Sequence, residues 1–520
     1  MSESPAAGNQ GDFGHHVQRI GLVAGPFAAL AVYFVLPTEF VDVTGKVVPF
    51  LHSGRATVAM LTWMALWWMT EAVDIEVTSL LPIVAFPLAG IMSIEEAAAP
   101  YASSLVFLFL GGFILGLAIR RCALDRRIAF LTLEVVGTSP GRLVGGMLGI
   151  TAFLSLWISN TAAAAMMVPV AVAVVDLVLR TRTGRGFDPK VGITAESVDE
   201  RHFATALVLA VAYGASVGGV ATLVGSPPNA FAARFIQQNF GVEISVMKWF
   251  TIGLPVTILF LLVVWFVLVR VAFRSRLGAV EGGREFVAAE LRKLGPLSRA
   301  ERAVLAVFAV TICLWITRQW VVAIELGATQ PFAGLTDAGI AMTAALALFL
   351  VPVPGSPGGR AMDWGYATQL PWGVLLLFGG GLSLATATET TGVAAFVGSQ
   401  TDALGGLPEL VVLVALITIV TLGSEVASNT ALIALMLPLL AAVAPGLGVP
   451  PALLLIAATL AANVAFMMPV GTPPNAIVFG TGLVRIPQMV RAGTILNVLW
   501  IVFLTGYAYF VIGPLYTGGR

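Results

Sequence analysis

Two short stretches, near-copies of each other, constrain the fold more than any other feature of this sequence. Residues 155–161 read SLWISNT and residues 424–430 read SEVASNT. Each places a serine (Ser155, Ser424) four residues before a Ser-Asn-Thr triplet (Ser159, Asn160, Thr161; Ser428, Asn429, Thr430). Ala162 or Ala431, Met167 or Met436, and Pro169 or Pro438 then follow at matched offsets. Both clusters sit inside long apolar runs. A polar cluster that recurs at one spacing marks two copies of one supersecondary unit, and the two are read as halves of a single site.

Composition decides the medium. Of 520 residues, 58% are hydrophobic and 11% charged, against about 25% charged for an ordinary soluble domain. Such a chain cannot cover a water-facing surface, and it reads as an all-α polytopic membrane protein. Basic and acidic residues balance at 28 each, so no nucleic-acid partner is implied. Cys122 and Cys313 lie in or beside apolar segments, and His15, His16, His52 and His202 show no metal-ligand spacing. There is no nucleophile elbow, no glycine-rich phosphate loop with a lysine and no histidine in an apolar segment, so no enzyme is expected. The first apolar stretch, about Ile20 to Leu36, lacks a basic leader and a small-residue cleavage site. It is expected to be a retained helix preceded by a disordered cytoplasmic segment over residues 1–17.

A spanning helix needs about 20 mostly apolar residues. Eleven are expected, near 18–37, 54–72, 77–97, 104–121, 203–240, 249–272, 302–322, 336–353, 370–390, 450–482 and 493–514, of which 203–240 and 450–482 are long and interrupted. The blocks 140–179 and 408–444 carry the triplets. Basic residues cluster after 119, after 179, between 273 and 302, and at Arg485 and Arg491. Cytoplasmic loops retain Lys and Arg, which puts the N-terminus in the cytoplasm and the C-terminus outside, with the chain in the cell membrane. Block 140–179 then has both ends inside, and block 408–444 both outside. Each must enter and return as a re-entrant hairpin, and irregular backbone at that depth requires a protein interior or a watery cavity.

The two halves match in spacing. Phe109 precedes Ser159, and Phe378 precedes Ser428, by 50 residues each. Downstream, GSPPNA at 225–230 pairs with GTPPNA at 471–476. Ser159 lies 66 residues before Gly225, and Ser428 lies 43 before Gly471; the difference of 23 is the length of the polar block 180–202. That block is read as a cytoplasmic insertion. The domain reading is scaffold helices at 18–97, a first repeat core at 104–272, a cytoplasmic linker at 273–301, scaffold helices at 302–353 and a second repeat core at 370–514. An odd number of crossings inverts the second half relative to the first. Inverted repeats with broken helices and a midplane site are a common plan of secondary transporters.

In each Gly-(Ser/Thr)-Pro-Pro-Asn break, two prolines remove two donors and stop the helix. The freed carbonyls, with hydroxyls and amide oxygens, suit a hard cation such as sodium, while the adjacent helix start favours an anion. The competing reading of one break is a plain proline kink, and of one triplet, helix–helix glue. Neither accounts for two breaks in register with two triplets. No Arg or Lys lies within either triplet stretch or either break, so an anion there depends on bound cations, helix N-termini and amide donors. Glu425, with Trp157 nearest it in the first half, is either a proton or cation site or a hydrogen-bonded acid that fixes the hairpin; the second is favoured. Glu71, Asp74, Glu76, Glu389 and Asp176 are read as solvated or capping acids near helix ends.

These motifs resemble the divalent anion:sodium symporter family, the sodium-coupled di- and tricarboxylate carriers. The likeness runs from Thr70 and the TSLLP stretch at 78–82 to Arg491, and its most specific marks are the two triplets and the two breaks. The resemblance implies eleven helices with two re-entrant hairpins, a homodimer and an elevator-like movement of the transport domain. It implies one sodium site on Ser155, Ser159, Asn160 and Gly225, and a second on Ser424, Ala427, Asn429 and Gly471, partly through carbonyls. It places the carboxylates of the anion on Asn160, Thr161, Asn429 and Thr430, with Ser226, Thr472 and Pro473 near by. Residue 424 is serine where some members carry threonine. The expected function is sodium symport of C4-dicarboxylates. A sodium-independent dicarboxylate exchanger, and a carrier of citrate, tartrate or sulfate, remain open alternatives on the same fold.

Overall fold

The computed structural model describes residues 5–41, 46–183, 198–278, 282–325, 329–353, 357–400 and 406–517. Helix dominates it, and the one sheet among the described residues is a ribbon of Glu39–Val41 with Val47–Pro49. Nine described helices are long and apolar enough to cross a membrane, so the chain is a multi-pass membrane protein. Asn160–Thr181 and Asn429–Leu447, expected as hairpin arms, are among the nine. The two spans expected to be interrupted are broken, and two others are divided or short. Residues 203–240 become Val198–Gly219 and Pro227–Phe240, and 450–482 become Pro451–Ala462 and Pro473–Phe479. The helix after each interruption starts with paired prolines in its first positions, where a missing donor costs nothing. Residues 77–97 divide into the short helices Ile75–Thr78, Leu81–Leu88 and Ile94–Ala98, and 336–353 shortens to Asp337–Leu350.

The repeat is visible element by element. Pro140–Ser155 and Asn160–Thr183 correspond to Glu409–Gly423 and Asn429–Leu447. The interrupted helices follow in each half. Val246–Phe266 and Ile486–Tyr507 come next, and each runs into a π-helical turn, Val267–Ala272 and Ala508–Ile512. Matched glycines set the packing. A Cβ on Gly253 would lie 2.6 Å from Val220 O, and one on Gly493 would lie 2.4 Å from Phe466 O. At the same point of each repeat, then, a helix touches the neighbouring break through a residue that only glycine can supply.

Burial separates centre from rim. The apolar window of Val198–Gly219 is 94% buried, whereas those of Gln18–Val35 and Arg299–Val322 are 17% and 22% buried. A helix apolar on all sides belongs in the centre of a membrane protein, and one with exposed apolar faces belongs at its perimeter. Gly214 and Gly218 let the central helix meet Pro140–Ser155 closely, since Cβ atoms there would fall 2.6 Å from Leu148 O and 2.4 Å from Ala152 O.

Two segments differ from expectation. The first helix begins at Pro5 rather than near residue 18, so the backbone of 5–17 is helical; residues 1–4 lie outside the described residues. Extending a formed helix costs far less than nucleating one, so the long apolar span carries its polar lead-in. The linker at 273–301 holds an amphipathic helix, Gly283–Leu294, pinned beside the first repeat. Buried Arg127 pairs with Glu301 and donates to Gly295 O at 2.8 Å and Leu294 O at 3.1 Å. Of the expected insertion 180–202, residues 184–197 lie outside the described residues, and helices enter it from both sides.

Candidate substrate and cation site

Each triplet begins a helix immediately after a tight turn, and the two turns share one hydrogen-bond pattern. Trp157 N donates to Leu154 O, Ile158 N to Leu154 O and Ala163 N to Ser159 O. In the second half Val426 N and Ala427 N donate to Gly423 O, and Leu432 N to Ser428 O, at the same offsets. The repeated sequence therefore folds into a repeated tip.

In the first half, residues far apart in sequence converge. Ser155 is fully buried and donates to Ala215 O at 2.7 Å. The Asn160 carboxamide closes on the same point. With its nitrogen turned inward it donates to Ser155 Oγ at 2.7 Å, Ala215 O at 3.1 Å and Gly225 O at 3.1 Å. With its oxygen turned inward, the same position becomes a cluster of oxygens with too few donors, which suits a hard cation. Gly225 must be glycine here, because a Cβ would fall 2.6 Å from Ser155 O. Ser159 Oγ accepts from Ala162 N at 3.3 Å, capping the arm that follows. Thr222 ties tip to break: its hydroxyl donates to Leu156 O and accepts from Gly225 N at 2.8 Å.

The second half solves the same problem differently. Ser424 is fully buried and donates to Val464 O at 2.8 Å and to Thr421 O at 2.8 Å. The register set by Gly225 and Gly471 makes Ala465 the counterpart of Gly219, yet the second helix ends three residues earlier, at Ala462. The main-chain donors released by that early ending point at Glu425. Its carboxylate accepts from Phe466 N at 2.7 Å, Met467 N at 3.0 and 3.1 Å and Met468 N at 3.1 Å, and from Asn497 Nδ2 at 2.7 Å. Counting from Ser155 and Ser424, the register partner of Glu425 is Leu156 rather than Trp157. The carboxylate is thus the hydrogen-bonded acid that holds tip to break. It also borders the predicted cation position, since a Cβ on Gly471 would lie 3.1 Å from Glu425 O and 3.3 Å from Glu425 Oε2.

The Asn residues of the breaks act as clamps. Asn229 Nδ2 donates to Gly219 O at 2.9 Å and Thr222 O at 2.7 Å, and Asn475 Nδ2 to Ala465 O at 2.9 Å and Met468 O at 3.0 Å. Their amides hold the break carbonyls in place through the nitrogen, where the sequence reading offered the oxygen as a ligand. The halves also interlock. The helix after the first break, Pro227–Phe240, packs on Asn429–Leu447, and the helix after the second, Pro473–Phe479, packs on Asn160–Thr183. Each break therefore leans on the opposite tip.

Predicted positions differ in depth, though not strictly by role. Ser155, Gly225, Ser424, Ala427 and Gly471, predicted for cations, are buried, as are Ser226 and Thr472. Thr161 and Pro473 are exposed, and Ser159, Asn160, Ser428, Asn429 and Thr430 are half-buried. The structure brings Ser155, Asn160 and Gly225 together. In the second half the Ser424 hydroxyl bonds to Thr421 O and Val464 O, while Gly471 lies against the main chain of Glu425, the residue after Ser424. Asn429 Oδ1 and Thr472 Oγ1 are buried and accept or donate no hydrogen bond among the described residues. Thr222, Ala215, Tyr213, Asn463 and Asn497 were absent from the sequence reading. The available signal was a lone polar residue in an apolar helix, as with Asn463 and Asn497. Of the bland acids, Asp176 pairs with Arg180 at 2.8 Å, and Glu71 and Asp74 flank helix ends.

Comparison with known proteins places these features. The chain is 38% identical over 499 residues to a sodium-dependent dicarboxylate transporter, SdcS, of Staphylococcus saprophyticus, covering 96% of this chain and 92% of that protein. It is 36% identical over 496 residues to SdcS of Staphylococcus aureus, covering 95% and 91%. Its fold is similar to that of the YdaH transporter of Alcanivorax borkumensis (TM-score 0.57, 14% identity, 95% and 98% covered). It is likewise similar to MtrF of Neisseria gonorrhoeae, described among antimetabolite efflux pumps (TM-score 0.58, 12% identity, 96% and 94% covered). At such identities these two likenesses concern the fold alone. Residues 47–513 match the model of the sodium:sulfate symporter transmembrane region, and the chain belongs to that family.

Proposed function

We propose that the chain is a secondary active transporter that carries C4-dicarboxylates of the succinate, malate and fumarate type by sodium symport. The observation that carries this reading is the contrast of depth at the tips. Uncharged amide and hydroxyl groups face the accessible rim, buried oxygens lie behind them, and no Arg or Lys lies in either tip or break. An anion on such a rim needs a cation beneath it. The similarity to proteins named sodium-dependent dicarboxylate transporters, at 38% and 36% identity, supports the same choice of ion and substrate class.

In this mechanism sodium binds first, on Ser155, Ser159, Asn160 and Gly225 at one tip and on Ser424, Ala427, Asn429 and Gly471 at the other. The dianion then bridges Asn160 and Thr161 to Asn429 and Thr430, beside Ser226, Thr472 and Pro473. The hairpins 140–179 and 408–444 are re-entrant from opposite faces of the cell membrane, in an inverted repeat. The N-terminus is cytoplasmic and the C-terminus outside. The loaded core moves as an elevator against a homodimeric scaffold whose apolar perimeter faces lipid. If bound sodium outweighs the substrate charge, the membrane potential assists by ~2.3 kcal/mol per net charge per 100 mV.

The test is labelled succinate uptake into proteoliposomes under an inward sodium gradient or matched potassium, with empty and succinate-preloaded vesicles. Uptake into empty vesicles that requires sodium is the expected result. Uptake confined to preloaded vesicles and indifferent to sodium would replace symport with exchange. No succinate uptake under any condition would move the substrate to citrate, tartrate or sulfate.

A further inference from the structure

Beside the Tyr213 hydroxyl, which donates across the halves to the main-chain oxygen of Phe466, a buried bond between two side chains joins the two breaks. Asn463 Nδ2 donates to Asn229 Oδ1 at 2.6 Å and to Thr459 O at 2.8 Å. Both asparagines are fully buried. Asn229 spends its other end on the first break, donating to Gly219 O and Thr222 O. Gly219 in turn abuts the first tip, since a Cβ there would fall 2.2 Å from Asn160 Oδ1. On the far side Asn463 leads directly into Val464, whose carbonyl accepts from Ser424 Oγ at 2.8 Å. A continuous run of contacts therefore joins Asn160 at the first tip to Ser424 at the second.

The bridge is one-sided. By the register of the two breaks, the counterpart of Asn463 is Val217, which has no polar side chain. Asn475, the counterpart of Asn229, has a buried Oδ1 that accepts no hydrogen bond among the described residues. Helix packing alone would not need an asparagine at one of these positions and a valine at the other.

We propose that Asn463 is a positioning residue that couples the two tips, so that cation capture at one raises the affinity of the other. This rests on the reading that each tip holds a sodium ion. A carboxamide is planar, so Asn229 cannot follow a shift of the Gly219 and Thr222 carbonyls without swinging the oxygen that Asn463 holds. Asn463 transmits that swing to residues 463–464, and hence to the carbonyl on which Ser424 rests. Coupling of this kind is reciprocal and appears as cooperative binding.

The experiment is the sodium-activation curve of succinate uptake into proteoliposomes, for the wild type and Asn463→Ser. A serine hydroxyl in a helix bonds back to the carbonyl four residues earlier. Serine therefore keeps a bond to Thr459 O but is too short to reach Asn229. The wild type is expected to show a Hill coefficient approaching ~2, and Asn463→Ser a clearly lower one that stays above ~1, because uptake still needs both sites filled when they fill independently. Half-saturation should move to higher sodium, with the rate at saturating sodium little changed. Poor folding alone would lower the rate at every sodium concentration without changing the steepness. Should the serine variant not survive purification, Asn463→Thr fills more of the space with the same back-bond, and the same loss of steepness is expected. A variant as steep as a steep wild type would overturn the coupling alone. A wild-type curve indifferent to sodium would overturn the symport reading, and the coupling with it.

Discussion

The first and second halves of this protein share a tip, a break and a clamp, but they close the gap between tip and break with opposite chemistry. In the first half the central helix runs on to Gly219, and the next donors find main-chain partners, Val220 N on Val217 O and Ala221 N on Gly218 O. A neutral hydroxyl, Thr222, then reaches back to Leu156 O. In the second half the helix stops at Ala462, and the freed donors of Phe466, Met467 and Met468 converge on the Glu425 carboxylate. Bonds to a charged acceptor are about twice as strong as neutral ones, so one carboxylate substitutes for most of a helical turn. The lesson is that a duplicated motif repeats backbone geometry more faithfully than it repeats charge. The first tip rests against its break through a hydroxyl, whereas the second places a carboxyl group beside Gly471.

That contrast can be broken or sharpened by substitution. The largest effect is expected at residues both halves need: Asn160→Ala and Asn429→Ala should each abolish sodium-driven succinate uptake while leaving the protein folded in detergent. Uptake retained in either would mean that the halves do not form one site.

Next comes the second half's carboxylate. Glu425→Leu, which installs the residue type found at 156, should destabilise by roughly 3 kcal/mol or more, because several buried donors lose their acceptor. A matching fall in thermal melting temperature is the readout. The reciprocal change, Thr222→Val, should cost only about 1–2 kcal/mol, since one neutral hydroxyl and its two bonds are lost. Equal costs for the two would erase the distinction between a charged and a neutral closure. An effect of the same size, about 1–2 kcal/mol, is expected from Asn497→Leu, because it removes one of the bonds to Glu425 and leaves the main-chain donors in place. Its counterpart by register, Thr257, donates straight to Val217 O at 3.1 Å, so Thr257→Val should act on the first half alone.

The parts of this molecule that were legible in its sequence are those set by local chemistry. Paired prolines mark the helix starts at 227 and 473, and the triplets mark those at 160 and 429. The spacing of Phe109 and Phe378 from the triplets exposed the repeat. What could not be read depends on closeness between distant segments. Asn463 meets Asn229 across 234 positions, and Tyr213 donates to Phe466 O across 253. Gly253 and Gly493 are ordinary helix glycines until the breaks they touch are in view. Glu425 drew notice as a buried acid, but the donors it satisfies exist only because the second central helix stops early. The amphipathic linker helix at Gly283–Leu294 was hidden by its charge, since a run rich in Arg and Glu looks like a solvated loop until Arg127 and Glu301 pin it.

On the proposed function, cations complete a site that cannot hold a dianion unaided. The most direct measurement is the melting temperature of the purified protein on titration with succinate, in sodium and in potassium at equal ionic strength. Ligand that binds only the folded state raises stability with its concentration. Succinate should raise the melting temperature in sodium and leave it unchanged in potassium. An equal rise in both salts would show that the tips bind the anion without sodium, and would contradict the account.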